Sequence, residues 1–228
     1  SELLANEPGA RVTQDPRAAA VLEQPLEPEE FLHSDARLVL VHATRQSKLR
    51  LAAAIDHVID GPDGTTITTE GQEDIGRVTV AADLAEGECL QIVKFIAYGW
   101  SSQRSRPAVR DQVGAALASA RHAGWEGLAR GQREFLDDFW ERADCELVGD
   151  DELQLALRFG LFHTLQAGVR AEGRAIAAKG LTGPGYDGHT FWDAERYILP
   201  VLTFSLPQAA CDALRWRHAT LDLARERA

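Results

Sequence analysis

Apolar residues follow two rhythms along this chain. Between positions 37 and 100 they gather in short runs rich in β-branched residues and broken by glycine. Beyond position 107 they recur at the three-to-four-residue spacing of a helix face. The first pattern predicts strands and the second predicts helices packed along one side.

Residues 1–30, rich in Pro, Gly and acid, read as irregular structure. RLVLVHATR (37–45) is a strand core, and KLRLAAAIDHVID (48–60) fits either a strand or a helix. GPDG (61–64) is a turn signal, followed by strand-like TTITTE, RVTVAADL and CLQIVKFIAYGW. After SSQRSRP (101–107), Val109, Val113, Leu117 and Ala120 mark one helix. Leu128, Phe135, Phe139 and Trp140 share a face of a second, with a glycine break between the two. Residues 144–170 predict a short strand and then a long helix capped by Asp150 or Asp151. Leu153, Leu155, Leu157, Phe159, Leu161, Phe162 and Leu165 wrap more than one face of that helix, which predicts burial on several sides. Two further helices are expected at 191–205 and 207–226, the last with Pro207 in its first turn.

Composition narrows the functional classes. The 228 residues are 45% hydrophobic and 26% charged, as expected of a chain with a real core. A formal charge of −11 argues against nucleic acid and anionic membrane as partners, and RSRP (104–107) is too short for a basic patch. Cys89, Cys145 and Cys211 are odd in number and far apart, so neither a zinc knuckle nor a disulfide framework is indicated, and reducing cytoplasm is the expected compartment. The histidines lack metal-binding spacing, G-x-S-x-G is absent, and no apolar run approaches 18 residues. His163 reads as a core histidine. The lack of methionine and the unterminated last helix lead us to expect a piece of a longer protein.

The densest chemistry lies in KGLTGPGYDGHTFWDAERYILP (179–200). Its Gly183, Gly185 and Gly188 spell G-x-G-x-x-G, but AIAAKGLT before them is a poor strand and the helix opens only after Gly188. The context of a dinucleotide fingerprint is therefore missing. Asp193 and Glu195 are two apart, on nearly opposite sides of a helix, so they cannot serve one substrate as an acid/base pair. Thr190-x-x-Asp193 has capping-box spacing, which offers Asp193 a purely structural role. The other reading makes it a carboxylate that grips hydroxyls beside the flat ring of Trp192. The two roles are compatible.

RFGLFHTLQ (158–166) and IAAKGLTGPGYDGHTFWDAERYILPVL (176–202) resemble glycoside hydrolase family 65, the maltose, trehalose, kojibiose and related disaccharide phosphorylases. FWERADCELVGDDELQLALRF (139–159), RWRHATLDLARERA (215–228) and, more weakly, DPR (15–17) are similar to the same family. The resemblance implies an α+β layout: the C-terminal part of an N-terminal β-sandwich over 1–104, a helical linker over 105–143, and the first helices of an (α/α)6-barrel catalytic domain over 144–228. It further implies cleavage of an α-glucosidic disaccharide with inversion. A glutamic acid protonates the leaving oxygen while inorganic phosphate, a co-substrate rather than a cofactor, attacks the anomeric carbon to give β-glucose 1-phosphate.

In hydrolytic relatives water and a second carboxylate replace phosphate. Trp192 and Asp193 match the family's pair that holds the non-reducing glucose, and Tyr186, His189 and Lys179 line the same motif. The family's general acid falls beyond Ala228; neither Glu195 nor Glu172 matches it. The isolated chain is therefore expected to be inactive. It is also expected to associate with the remainder of the catalytic domain or with itself as a homo-oligomer, because Leu161, Phe162, Trp192 and Ile198 would otherwise face water. The alternatives are an inverting, trehalase-like hydrolase and a non-catalytic sugar-binding or scaffold piece.

Overall fold

The computed structural model describes residues 1–6, 24–169, 174–183 and 185–227. They divide into two compact units, one of residues 1–6 and 24–131 and one of residues 132–227. DPR (15–17) and Glu172 lie outside the described residues.

The first unit is a two-sheet sandwich with a helix on its back. Strands β2 (Leu26–Ser34), β3 (Arg37–Thr44), β4 (Arg50–Asp60) and β7 (Gln91–Ser101) form an antiparallel sheet in the order β2-β3-β4-β7. Strands β1 (Glu2–Leu4), β6 (Ile75–Ala81) and β5 (Thr66–Gln72) form a second, in the order β1-β6-β5. Successive side chains of a strand face opposite ways, and here both faces of β3 and β4 are covered. Leu38, Leu40 and Ile55 pack with Leu3 and Val78 between the sheets. Val39, Val41, Ala52 and Ala54 pack on the other side with Val109, Val113 and Leu117 of the helix. Burial on two faces is why 48–60 shows no clean alternation, and the sheet resolves it as a strand. One buried carboxylate ties the helix to the sheet. Asp56 accepts from Arg37 Nε (3.0 Å) and Nη2 (2.8 Å), from Arg121 Nη1 (3.1 Å) and from the His57 amide (2.8 Å). Burial alone would raise its pKa, but these donors outweigh it and hold the carboxyl below the usual range.

Several expectations fail in instructive ways. Within 1–30, expected to be irregular, Glu2–Leu4 is a strand and so is the start of Leu26–Ser34. The latter strand sits at the sheet edge, where Pro28 is tolerated at a register shift between Pro28 and Glu30. The short strand expected after position 144 does not form. The side chain of Gln154 instead takes its backbone groups, accepting from Leu147 N (2.6 Å) and donating to Cys145 O (3.0 Å).

Helix α1 (Arg106–Ala143) is two helices meeting at Gly124, whose φ of 68° is open to glycine but costly for other residues. On its second half Phe139 is buried, whereas Leu128 and Phe135 remain exposed. In the second unit, Phe139 and Ala143 pack with Leu165 of α2 (Asp151–Gly168). Asp150 caps α2 by accepting from Leu153 N at 2.9 Å. Only Leu165 and Gly168 of that helix are buried, and Leu153, Leu155 and Phe159 are exposed. The expected burial on several sides is thus not met, because no described element covers those faces. The predicted helix over 191–205 divides into a π-turn (Ala194–Ile198) and α3 (Leu199–Ser205). The last predicted helix breaks at Thr220 into α4 (Pro207–Ala219) and α5 (Leu221–Arg227). Thr220 Oγ1 there bonds back to Trp216 O at 3.1 Å. Ile176, Leu199, Leu202, Ala209, Ala210 and Ala213 form the unit's main core.

Candidate functional site

The loop from Arg174 to Asp193 carries all five sequence-predicted site residues. Its first turn closes through Gly180 N to Ala177 O (2.8 Å) and through Thr182, whose N and Oγ1 both donate to Lys179 O (2.9 and 2.7 Å). Gly180 adopts φ +53°, and a Cβ there would sit 2.7 Å from Ala167 Cβ, so the turn lies directly on α2. The far limb returns to the near one by a bond from Ala178 N to His189 O (2.9 Å). Between the limbs a 3-10 turn spans Gly185–Gly188. Gly185 and Gly188 of the literal G-x-G-x-x-G thus bound a tight turn, and among the described residues of the loop before it there is no strand.

The five residues take different places. Lys179 borders a hollow of about 260 Å³ together with His163, Thr164, Ala167, Ala178 and Thr182. Tyr186, half-buried at φ +60°, meets Phe191 edge-on with centroids 5.5 Å apart. The exposed His189 serves the loop through its backbone. Trp192 is 65% exposed, its ring 6.1 Å from that of Tyr197. Asp193 is exposed, and its side chain makes no capping hydrogen bond. Tyr186, His189, Trp192 and Asp193 do not line the Lys179 hollow.

Among the described residues the cap that Thr190-x-x-Asp193 offers is not made at Asp193, where the helix opens with a π-turn. His163 also departs from expectation. It is half-buried, stands 4.2 Å from the Phe159 ring at 69°, and faces the hollow rather than a sealed core.

Glu195 is fully occupied elsewhere. Arg217 Nε and Nη2 donate to its two oxygens, the latter at 3.0 Å, and hold its carboxyl below the ordinary glutamate range despite partial burial. That pairing favours the ionised carboxylate, which accepts a proton rather than donating one. Arg217 is the neighbour that sequence reasoning passed over; it lies inside RWRHATLDLARERA (215–228), a segment already distinctive as a motif. Among the described residues no group of three or more His, Cys, Asp or Glu is placed to hold a metal, and no helix is long and apolar enough to cross a membrane.

Comparison with known proteins gives a consistent result. A profile described as "Glycosyl hydrolase family 65, N-terminal domain" matches residues 1–139, and one for the family's "central catalytic domain" matches residues 158–228. An uncharacterized glycosyl hydrolase of Mycobacterium tuberculosis H37Rv is 54% identical over 228 residues, all of this chain but 29% of the relative. An α,α-trehalose phosphorylase of Thermoanaerobacter brockii is 35% identical over 189 residues, 83% of this chain and 24% of the relative. A kojibiose phosphorylase of Halothermothrix orenii is 38% identical over 154 residues, 64% of this chain and 20% of the relative. In structure the chain is similar to a putative kojibiose phosphorylase from the human microbiome, with a TM-score of 0.76 at 24% identity over 88% of this chain and 26% of the other. The chain thus spans under a third of the length of these relatives.

Proposed function

Because this chain belongs to glycosyl hydrolase family 65, we propose that it is part of an enzyme that cleaves an α-glucosidic disaccharide with inversion, by phosphorolysis to β-glucose 1-phosphate. Trp192 and Asp193 hold the non-reducing glucose. The indole covers the C–H face of the sugar ring, and the carboxylate accepts from two of its hydroxyls. Tyr186, His189 and Lys179 shape the surrounding loop. The proton donor and the phosphate site come from chain outside these 228 residues, since Glu195 is consumed by Arg217. The 228 residues alone therefore lack activity, and their exposed apolar faces take up the remainder of the catalytic domain or a second copy. A reducing compartment, the cytoplasm, is part of this reading; the free cysteines Cys89, Cys145 and Cys211 are compatible with it.

The observation that carries this reading is the exposed Trp192 beside an uncapped Asp193 on a loop braced at both ends. The names of the trehalose and kojibiose phosphorylases among its relatives support phosphate as the nucleophile. The M. tuberculosis relatives, named glycosyl hydrolases, keep water as the competing one.

The test uses the full-length protein with trehalose, kojibiose and maltose, with and without phosphate. Phosphate-dependent release of glucose 1-phosphate is expected, and release of two glucoses at equal rate without phosphate would select the hydrolase. Trp192→Ala and Asp193→Asn should each lower kcat/KM about 100-fold, as loss of a substrate-positioning contact does. Wild-type kinetics in both variants would remove the grip from this loop.

A further inference from the structure

We infer that Arg217 is a positioning residue that sets the aim of the Trp192–Asp193 pair; the inference rests on the reading of that pair as the glucose grip. Arg217 lies in the last turn of α4, more than 20 residues from the loop in sequence, yet it touches the loop on both sides of the pair. Its Nη2 donates to Phe191 O at 3.4 Å, immediately before Trp192. Its Nε and Nη2 hold the carboxylate of Glu195, two residues past Asp193. The Arg217 side chain is steadied in turn by the Trp216 ring, 5.0 Å from the guanidinium carbon.

The local backbone explains why such a brace is needed. A helix start is ordinarily fixed by a side-chain cap, and the π-turn that follows Asp193 has none. Phe191 O accepts from Ala194 N at 3.2 Å and Trp192 O from Arg196 N at 3.1 Å. These bonds curl the segment, but they leave its orientation toward the rest of the unit to side chains. Single π-turns are rare and concentrate at functional sites, where the extra residue re-aims a neighbour. A planar guanidinium can hold a carboxylate with two donors and still reach a carbonyl, which the point charge of lysine cannot do.

Magnitudes separate this role from mere stabilisation. The Arg217 and Glu195 side chains are each 37% exposed, so their attraction is screened and, as for exposed ion pairs generally, adds little to overall stability. Misplacing a substrate-holding group by about 1 Å can cost roughly 100-fold in rate. Loss of the brace should therefore appear in kinetics far more than in melting temperature.

The experiment uses the full-length protein with whichever of trehalose, kojibiose and maltose it cleaves. Arg217→Lys, Arg217→Ala and Glu195→Gln are compared with Trp192→Ala and Asp193→Asn. The expected result is a KM for disaccharide raised about tenfold in Glu195→Gln and Arg217→Lys, and more in Arg217→Ala, with KM for phosphate unchanged. A partly unfolded population would lower kcat at constant KM, so the rise in KM distinguishes aim from integrity. Should Arg217→Ala fail to fold, the near-isosteric Glu195→Gln decides alone. If the Trp192 and Asp193 variants lose activity while Glu195→Gln and Arg217→Lys keep a wild-type KM, the inference is overturned and the grip stands. If the Trp192 and Asp193 variants are themselves unaffected, the grip fails and this inference fails with it.

Discussion

In the sandwich unit Leu38, Ile55 and Leu117 are sealed from water, and the deeply buried carboxylate of Asp56 receives two guanidiniums and an amide. In the helical unit Leu155 is 70% and Phe204 87% exposed, while the residues that carry the proposed chemistry sit on a loop held by a few named bonds. The first unit closes its core with its own strands and one helix. The second buries one side of α2, α3 and α4, presents their other sides, and leaves α5 exposed throughout. Stability in the first is therefore a property of many mutually supporting contacts, whereas the site loop of the second, beyond the core residue Ile176, is held by individual ties such as Gly180 on Ala167 and Arg217 on Glu195.

The largest expected effect comes from removing the centre of the sealed unit. Asp56→Ala leaves Arg37 and Arg121 without their shared partner. Because both arginine side chains are partly exposed and can rehydrate, the loss should sit near about 3 kcal/mol, the lower end for a broken buried pair. Hydrogen exchange of the β3 and β4 amides measures it; protection unchanged from wild type would show that the hub does not hold the sheet to the helix. The same residue predicts a pH dependence. Its folded pKa is depressed, so its stabilising contribution is complete above the unfolded value and is lost as pH falls through the folded one. Protection in the sandwich should drop as pH falls below about 4 in wild type, and Asp56→Asn should flatten that drop.

A smaller and more local effect is expected at Gly180. Gly180→Ala forces a side chain into φ +53° and brings its Cβ within 2.7 Å of Ala167 Cβ, a backbone and a packing penalty together. The cost should be about 2 kcal/mol, confined to the loop. Faster exchange at the Ala178 amide, with β3 and β4 untouched, would sharpen the contrast between the units. A global loss of protection would break it.

What the sequence disclosed follows the same contrast. Strands β3 and β7 and the first half of α1 were legible because each buries a regular face, as in Val109, Val113 and Leu117. The edge strand β2 was not, because Pro28 reads as a breaker and only its place at the sheet margin makes it harmless. Nor was the missing strand after position 144, where a side chain nine residues from Cys145 takes over the role of a partner strand. At the site, the Trp192–Asp193 motif was visible as a string of residues. Its local geometry was not: Thr190-x-x-Asp193 has the spacing of a cap, but a π-turn replaces the helix start that a cap would serve. Arg217 was hidden for the simplest reason, since its partners lie 22 and 26 positions away.

The smallest effect on stability is expected at apolar side chains that already face water. Phe204→Ser on α3 and Leu155→Ser on α2 remove side chains that are mostly in water already, so each should change the stability of the 228-residue chain by under about 0.5 kcal/mol. Their effect belongs to association instead. An exposed ring and neighbouring leucines gain when another apolar surface excludes water from them, at about 25 cal/mol per Å² covered. Sedimentation of the 228-residue chain should therefore show self-association that weakens in the double variant while hydrogen exchange is unchanged. A loss of 2 kcal/mol or more from either single variant would mean that these faces are already covered, and the distinction between a sealed unit and an open one would fall.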